Sequence, residues 1–209
     1  VAGILSEMKK FVLPNDYPDM PSSLMHIYLI EAGPRLLAGM SEESSAHAEQ
    51  FLREMGVNIL LNKRVVDYRD HKVVLEDGTE IATRTFIWVS GVTGVTIGNL
   101  DASLIGRGGR IKVDSFNRVE GMNNVFAIGD QCIQLADENY PNGHPQLAQV
   151  AIQQGELLAK NLIRMEKGQE MKPFHYRNLG SMATVGRNRA VAEFSKVKMQ
   201  GWFAWVMWL

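Results

Sequence analysis

The 209-residue sequence has a single cysteine, Cys132. One thiol excludes an intrachain disulfide framework, and no Cys-x-x-Cys pair offers dithiol chemistry or a zinc ribbon. A reducing compartment fits that usage. The five histidines lie far apart without metal-ligand spacing, so no metal site is expected. No apolar run reaches the roughly 18 residues that a membrane-spanning helix needs. The net charge of −1 argues against nucleic acid as a partner. Internal repeats and low-complexity segments are absent too.

What is present suits a folded α/β protein. Hydrophobic residues make up 45% and charged residues 22%, enough to bury the core of one large or two small domains. The charge is unevenly spread. From Met171 onward six basic residues (Lys172, Arg177, Arg187, Arg189, Lys196, Lys198) face the single acid Glu193, leaving that segment at +5 and the rest at −6. An acidic body with a basic tail points to an anionic surface as the tail's partner.

The chain opens in helical sequence, Val1 to Lys10, with no capping residue ahead of it, as if cut within a domain. A proline-rich loop, Pro14 to Ser23, leads to an apolar strand, Met25 to Ile30, ending at Glu31. Ser41 caps a helix with Glu42 and Glu43 in its first turn, and Gly56 stops it. Strands are expected at Asn58 to Leu61, Arg64 to Tyr68 and Lys72 to Leu75, with a turn at Glu76 to Thr79. A buried strand is expected at Thr85 to Val89. Further on, Gly106 to Gly109 reads as a loop flanked by strands at Ile111 to Val113 and Asn124 to Ala127. A long helix should run from near Pro145 to Met165, followed by strands at Met182 to Val185 and Ala190 to Phe194. The chain ends on Trp202, Trp205 and Trp208.

Three places carry chemistry. In a βαβ unit, the strand after the first helix often ends in an acid that accepts hydrogen bonds from a nucleotide's ribose hydroxyls and repels a 2′-phosphate. Glu31 stands there; its plainer reading is a solvated acid at a strand end. Asn124 to Asp130 is an apolar run into Gly129-Asp130. A buried parallel strand there would deliver Asp130 to a sheet's carboxyl edge, with Gly129 permitting close approach. Gln149 and Gln153 are four apart and share a helix face. The start of that helix, Gln146, Leu147 and Ala148, would point its positive end at the ligand held by Asp130. Cys132 reads as a small buried thiol. His144 ranks behind Gln149 as a proton donor because it falls in a loop. Gly106 to Gly109 is followed by no helix and is not a phosphate loop.

Phe126 to Asp130 (FAIGD) resembles the second flavin-contacting motif of the two-dinucleotide flavoproteins. With Ala148 to Gln153 (AQVAIQ) and Gly180 to Arg187 (GSMATVGR) and its tryptophan-rich sequel, the chain resembles a type II NADH:quinone oxidoreductase over essentially its whole length. The resemblance implies FAD and NADH as cofactors and a membrane quinone as electron acceptor. It assigns Glu31 to the NADH ribose, Ser90, Gly91 and Val92 to the nicotinamide approach, and Gly129 and Asp130 to FAD. It places Gln149 and Gln153, as catalytic residues, at the flavin–quinone junction.

The expected fold is α/β. A Rossmann-like NADH-binding domain, lacking its first strand and glycine loop, would span 1–115. The C-terminal part of an FAD-binding domain would span 116–170, and a membrane-associating region 171–209. Residues 180–209 would dock on an anionic membrane surface, making the protein peripheral on the cytoplasmic face of a bacterial inner membrane or an equivalent organelle membrane. A homodimer is compatible with this picture. Two other readings share the Glu31 and Asp130 logic. One is a soluble FAD-dependent NAD(P)H reductase of a disulfide or iron–sulfur protein; the other is a non-catalytic nucleotide-binding module.

Overall fold

A computed structural model describes residues 1–95, 97–194 and 197–209; Lys196, one of the basic residues of the tail, lies outside them. Two units share the chain, one made of Val1–Ile87 with Leu179–Leu209 and the other of Trp88–Asn178.

The first unit opens with helix α1 (Ala2–Glu7), which runs through a π-helical turn (Met8–Val12) into α2 (Leu13–Asp16). Strand β1 (Ile27–Ile30), helix α3 (Glu42–Glu54) and strand β2 (Val57–Leu60) follow. The two strands pair in parallel, with Ile27 opposite Val57 and Ile30 opposite Leu60. A parallel pair needs a crossover, and α3 supplies it. Ser41 caps α3 as expected, its Oγ accepting from Ser44 N at 3.3 Å, and Gly56 follows the helix in the left-handed region (φ 83°). Leu36, Leu52, Val57 and Ile59 form the buried core, with Ala2, Ile27, Leu29 and Val185 packed on it. A Cβ on Gly3 would sit 1.7 Å from the Val185 carbonyl oxygen, so only glycine lets α1 lie this close. A meander of β3 (Val65–Arg69), β4 (Lys72–Leu75) and β5 (Glu80–Ala82) completes this part of the unit, antiparallel throughout.

The second unit holds β6 (Ile111–Val113) and β7 (Cys132–Gln134), paired in parallel, and the long helix α4 (Ala148–Glu166). Its core comprises Ile111, Val113, Val119 and Cys132.

The chain then returns to the first unit as an antiparallel sheet of β8 (Ser181–Gly186), β9 (Arg189–Phe194) and β10 (Val197–Gln200), in the order β10-β9-β8. Helix α5 (Gly201–Trp208) follows, and its Ala204 packs with Ala190 and Ala192 of β9, all three fully buried. Three bonds tie this sheet and its β8–β9 turn to earlier parts of the unit. Glu7 Oε1 accepts from Arg187 N at 2.6 Å, and the Glu193 carboxylate accepts from Ser41 N at 2.9 Å and from Ser41 Oγ. The units therefore divide the chain at Ile87 and Asn178, where the sequence suggests 115 and 170.

Two expected strands are not formed. Thr85 to Val89 is not a strand, with Ile87, Trp88 and Val89 46%, 60% and 67% exposed. The Thr83 hydroxyl donates to the Thr85 carbonyl and accepts from the Thr85 N–H, so a local side chain engages the backbone at the start of this segment. Asn124 to Ala127 is no buried parallel strand either. Asn117, left-handed at φ 62°, turns the chain so that Val119 N bonds to Val125 O and Ala127 N to Asn117 O, a short antiparallel closure that leaves Val125 exposed.

Candidate functional site

The Gly129-Asp130 pair lies in a single 3-10 turn, Gly129–Gln131, between an extended Ile128 and the start of β7. Asp130 thus precedes a strand at its amino end instead of ending one. Gly129 adopts φ 65°. Its N–H donates to Gln154 Oε1 of α4 at 2.7 Å. A Cβ on Gly129 would meet the Ala151 Cβ at 3.2 Å, so the turn sits directly on the helix. The Asp130 side chain is exposed, and its carbonyl accepts from Gln146 Nε2 at 3.1 Å.

Gln131 reaches the other way. Its Oε1 accepts from Val95 N at 2.8 Å and its Nε2 donates to Val95 O at 2.7 Å, a two-point clamp on the segment holding Ser90, Gly91 and Val92. Those three residues are exposed; Gly91 has φ 77°, with open space where a Cβ would project. The Gly106 to Gly109 loop is the other support of this segment. Gly94 N donates to Gly108 O at 2.7 Å, and a Cβ on Gly94 would lie 2.3 Å from Gly109 O.

Helix α4 begins beside the turn. Leu147 is its extended N-cap residue and no side chain caps it; Ala148 opens the helix. The N–H groups of a first helical turn carry partial positive charge and suit an anionic ligand. Gln149 and Gln153 follow on one face. The Gln153 amide bonds the backbone of Arg177 at both ends, donating to its carbonyl at 2.9 Å and accepting from its N–H at 3.0 Å.

The structure therefore gathers Ser90, Gly91, Val92, Gly129, Asp130, Gln146, Leu147, Ala148, Gln149 and Gln153 within the second unit. Glu31 belongs to the first, one residue beyond β1 at the carboxyl edge of the parallel pair. There its Oε1 accepts from Gly33 N at 2.7 Å.

Cys132 is buried, and burial pushes its thiol up from the ordinary range, against the smaller opposing effect of the Gln154 hydrogen bond. It is a protonated packing residue. His144 is buried as well, its Nε2 3.0 Å from Asp137 Oδ2. Three residues at this site escape the sequence reading: Gln131, Gln154 and Asn117. For Gln154 a signal existed. Val150, Gln154 and Asn161 fall on one helical stripe, and an amide on an apolar stripe marks a buried polar contact.

The chain belongs to the pyridine nucleotide-disulphide oxidoreductase family, whose profile matches residues 1–155. Among its relatives, the type II NADH:quinone oxidoreductase NdhA of Mycobacterium tuberculosis is 33% identical over an alignment that covers 100% of this chain and 46% of that protein. The type II NADH:quinone oxidoreductase of Haemophilus influenzae is 30% identical, with 90% of this chain and 44% of that protein covered. The fold matches NDH2 from Plasmodium falciparum, solved in complex with NADH, at a TM-score of 0.84 and 18% identity over 100% of this chain and 58% of that one. The resemblance read from the motifs is thus found again in whole-chain similarity. The chain spans a little under half the length of these two sequence relatives.

Proposed function

We propose that this chain is part of a flavin-dependent oxidoreductase that passes electrons from NADH through FAD to a membrane quinone. The observation that carries the reading is the Gly129–Gln131 turn, seated on the uncapped start of α4 and clamped to the segment that holds Ser90 to Val92. The donor set fits FAD: an exposed carboxylate to accept from ligand hydroxyls, a glycine in a left-handed turn, and a helix start for negative charge. FAD, when bound, accepts a hydride from NADH and returns electrons to a quinone.

The chain's own residues bind and orient. Asp130 anchors the flavin nucleotide through its carboxylate. Gln146, Leu147 and Ala148 bring the positive end of α4 to it. Ser90, Gly91 and Val92 offer open backbone for the nicotinamide. Glu31 accepts from the NADH ribose hydroxyls and repels a 2′-phosphate. Gln149 orients the quinone. Gln153 serves the same junction by holding the Arg177 backbone, since both ends of its amide are engaged there. Docking on an anionic membrane through 180–209 would deliver a bilayer quinone.

The test uses the intact protein. It should purify yellow and reduce menadione with NADH, and Asp130→Ala should lower its FAD content. A colourless protein inactive with menadione, or an Asp130→Ala variant with normal FAD affinity, would count against the reading. Turnover with a disulfide or iron–sulfur acceptor but none with quinones would favour a soluble reductase.

A further inference from the structure

Helix α4 carries amides where its packing would suit apolar side chains. Val150, Gln154 and Asn161 are its buried residues, and the 3.6-residue period puts all three on one stripe. A buried amide costs free energy unless it is hydrogen-bonded, so each must be spent on a specific contact. Asn161 bonds the Lys172 backbone at both ends, 2.8 and 2.9 Å, and so pins the chain that leaves the helix. Gln154 is 1% exposed. Its Oε1 accepts from Gly129 N at 2.7 Å and its Nε2 lies 3.6 Å from Cys132 Sγ. Asn117, also buried, approaches the same sulfur at 3.8 Å and donates to Ala127 O at 3.3 Å.

The backbone around Asp130 is therefore held from outside the turn on both sides. Gln154 grips the N–H just before it and Gln146 the carbonyl of Asp130 itself. The two grips are unequal. Gln146 lies ahead of α4 and is partly exposed, whereas Gln154 is buried in the body of a 19-residue helix. Gly129 owes its seat on that helix to its left-handed φ of 65° and to the lack of a Cβ against Ala151. A shift of the Gly129 N–H would carry the Asp130 carboxylate with it.

We infer that Gln154 is a positioning residue, fixing the Asp130 carboxylate for FAD through the Gly129 N–H. This rests on the reading of Asp130 as the flavin anchor. It differs from a packing role in one respect: the effect of Gln154 on flavin affinity must pass through Asp130. Two residues that act through one contact are not additive, whereas independent ones are.

A double-mutant cycle on the intact protein reads this directly, with the FAD Kd measured from flavin fluorescence on dilution. Gln154→Met, close in length but without the acceptor, should raise the Kd about tenfold, the scale of one hydrogen bond lost with its donor left unpaired. In the Asp130→Ala background the same change should alter the Kd by less than about twofold, since the contact it serves is gone. Gln154→Glu keeps the accepting oxygen and should recover most of the affinity. If Gln154→Met does not fold, Gln154→Asn, one methylene short of Gly129, serves the same cycle. An equal factor in both backgrounds, or no effect in the wild-type background, overturns the inference and leaves Asp130 as the anchor. An unchanged Kd in Asp130→Ala alone overturns the anchor itself, and the inference falls with it.

Discussion

Asp137 and His144 meet inside the second unit with the ring Nε2 3.0 Å from the carboxylate, both side chains less than a tenth exposed. Tyr140, Phe174 and Tyr176 box the imidazole at centroid separations of 5.0, 5.2 and 5.9 Å, and Arg110 donates to the His144 carbonyl at 3.1 Å. With Nε2–H given to Asp137, Nδ1 is buried without a hydrogen-bond partner among the described residues. The bond from His144 holds the Asp137 carboxyl below the usual carboxylate range; burial pushes the other way, and the Asn139 N–H adds to the lowering. A depressed carboxyl contributes stability that is fully present above its unfolded value of about 4 and is lost as pH falls through the lower folded value. His144→Phe keeps the aromatic box and removes the donor, so it should cost about 1–3 kcal/mol at pH 7. The gap to wild type should then narrow below about pH 4, where the wild-type pair also loses its carboxylate. Urea denaturation at pH 7 and pH 3 measures both; an equal gap at the two pH values would show that the cost does not come from the ionised Asp137 carboxylate. None of this can be read from the spacing of the sequence. Asp137 and His144 are seven residues apart in irregular chain, and only the fold of the Leu135 to Leu147 loop brings them together.

At the scale of elements, α3 shows how a local signal gains a second role. Ser41 is the cap that its sequence position suggests, with Glu42 and Glu43 in the first turn. Its hydroxyl and its N–H also both donate to Glu193 of β9, a residue 152 positions away. Burial raises the Glu193 carboxyl, but the Ser41 and Ser44 bonds outweigh it and leave the group below its ordinary range. Ser41→Ala should therefore cost about 1–2 kcal/mol, the upper part of the usual range for a lost cap. Ser41→Asp, nearly neutral at an ordinary cap, should destabilise here because it sets a second carboxylate against Glu193. Urea midpoints of the two variants check this, and a Ser41→Asp protein as stable as wild type would show that Glu193 does not matter. Elements with punctuation of this kind were legible: α3 from its cap and Gly56, α4 from its long apolar period, β4 and β6 to the residue. Of the elements inferred from apolar runs alone, Met25 to Ile30 holds β1, but two others form no strand. Thr85 to Val89 and Asn124 to Ala127 are runs of the type that periodicity cannot assign to strand or otherwise. The Thr83 hydroxyl bonds the Thr85 backbone in one, and the Asn117 turn closes the other on itself. The Gly129-Asp130 motif lies in a turn, and the strand expected before it is not formed. Gln154 was passed over because its neighbour Gln153 carries the recognised motif.

At the scale of the whole molecule, the C-terminal sheet and α5 fold with the first unit, and this changes how docking on a membrane must be tested. Helix α5 is apolar on nearly every side. Ala204 is fully buried on β9 and Trp205 packs beside it, while Trp202, Phe203, Met207 and Trp208 are 53%, 68%, 52% and 56% exposed. No helix among the described residues is long and apolar enough to cross a membrane. Tryptophan favours the headgroup level, and basic residues near an anionic surface contribute roughly 1 kcal/mol each. Arg187 and Arg189, in the same unit as α5, would supply that charge, whereas Lys198 pairs with Glu43 at 3.0 Å. The mode proposed is therefore monotopic, with α5 lying in the interface. Deleting everything after Gln200 would be a poor test, because it also strips Ala190 and Ala192 of their cover. Replacing Trp202, Phe203 and Trp208 by serine leaves Ala204 and Trp205 in place and removes side chains that are each more than half exposed. The intact protein should float with vesicles containing anionic lipid, less so at high salt, and the triple variant should stay largely at the bottom of the gradient while still unfolding cooperatively in urea. Equal flotation of the two proteins would place membrane contact elsewhere. Failure of both to float on anionic vesicles would remove the membrane from the account and leave α5 as a surface for some other partner.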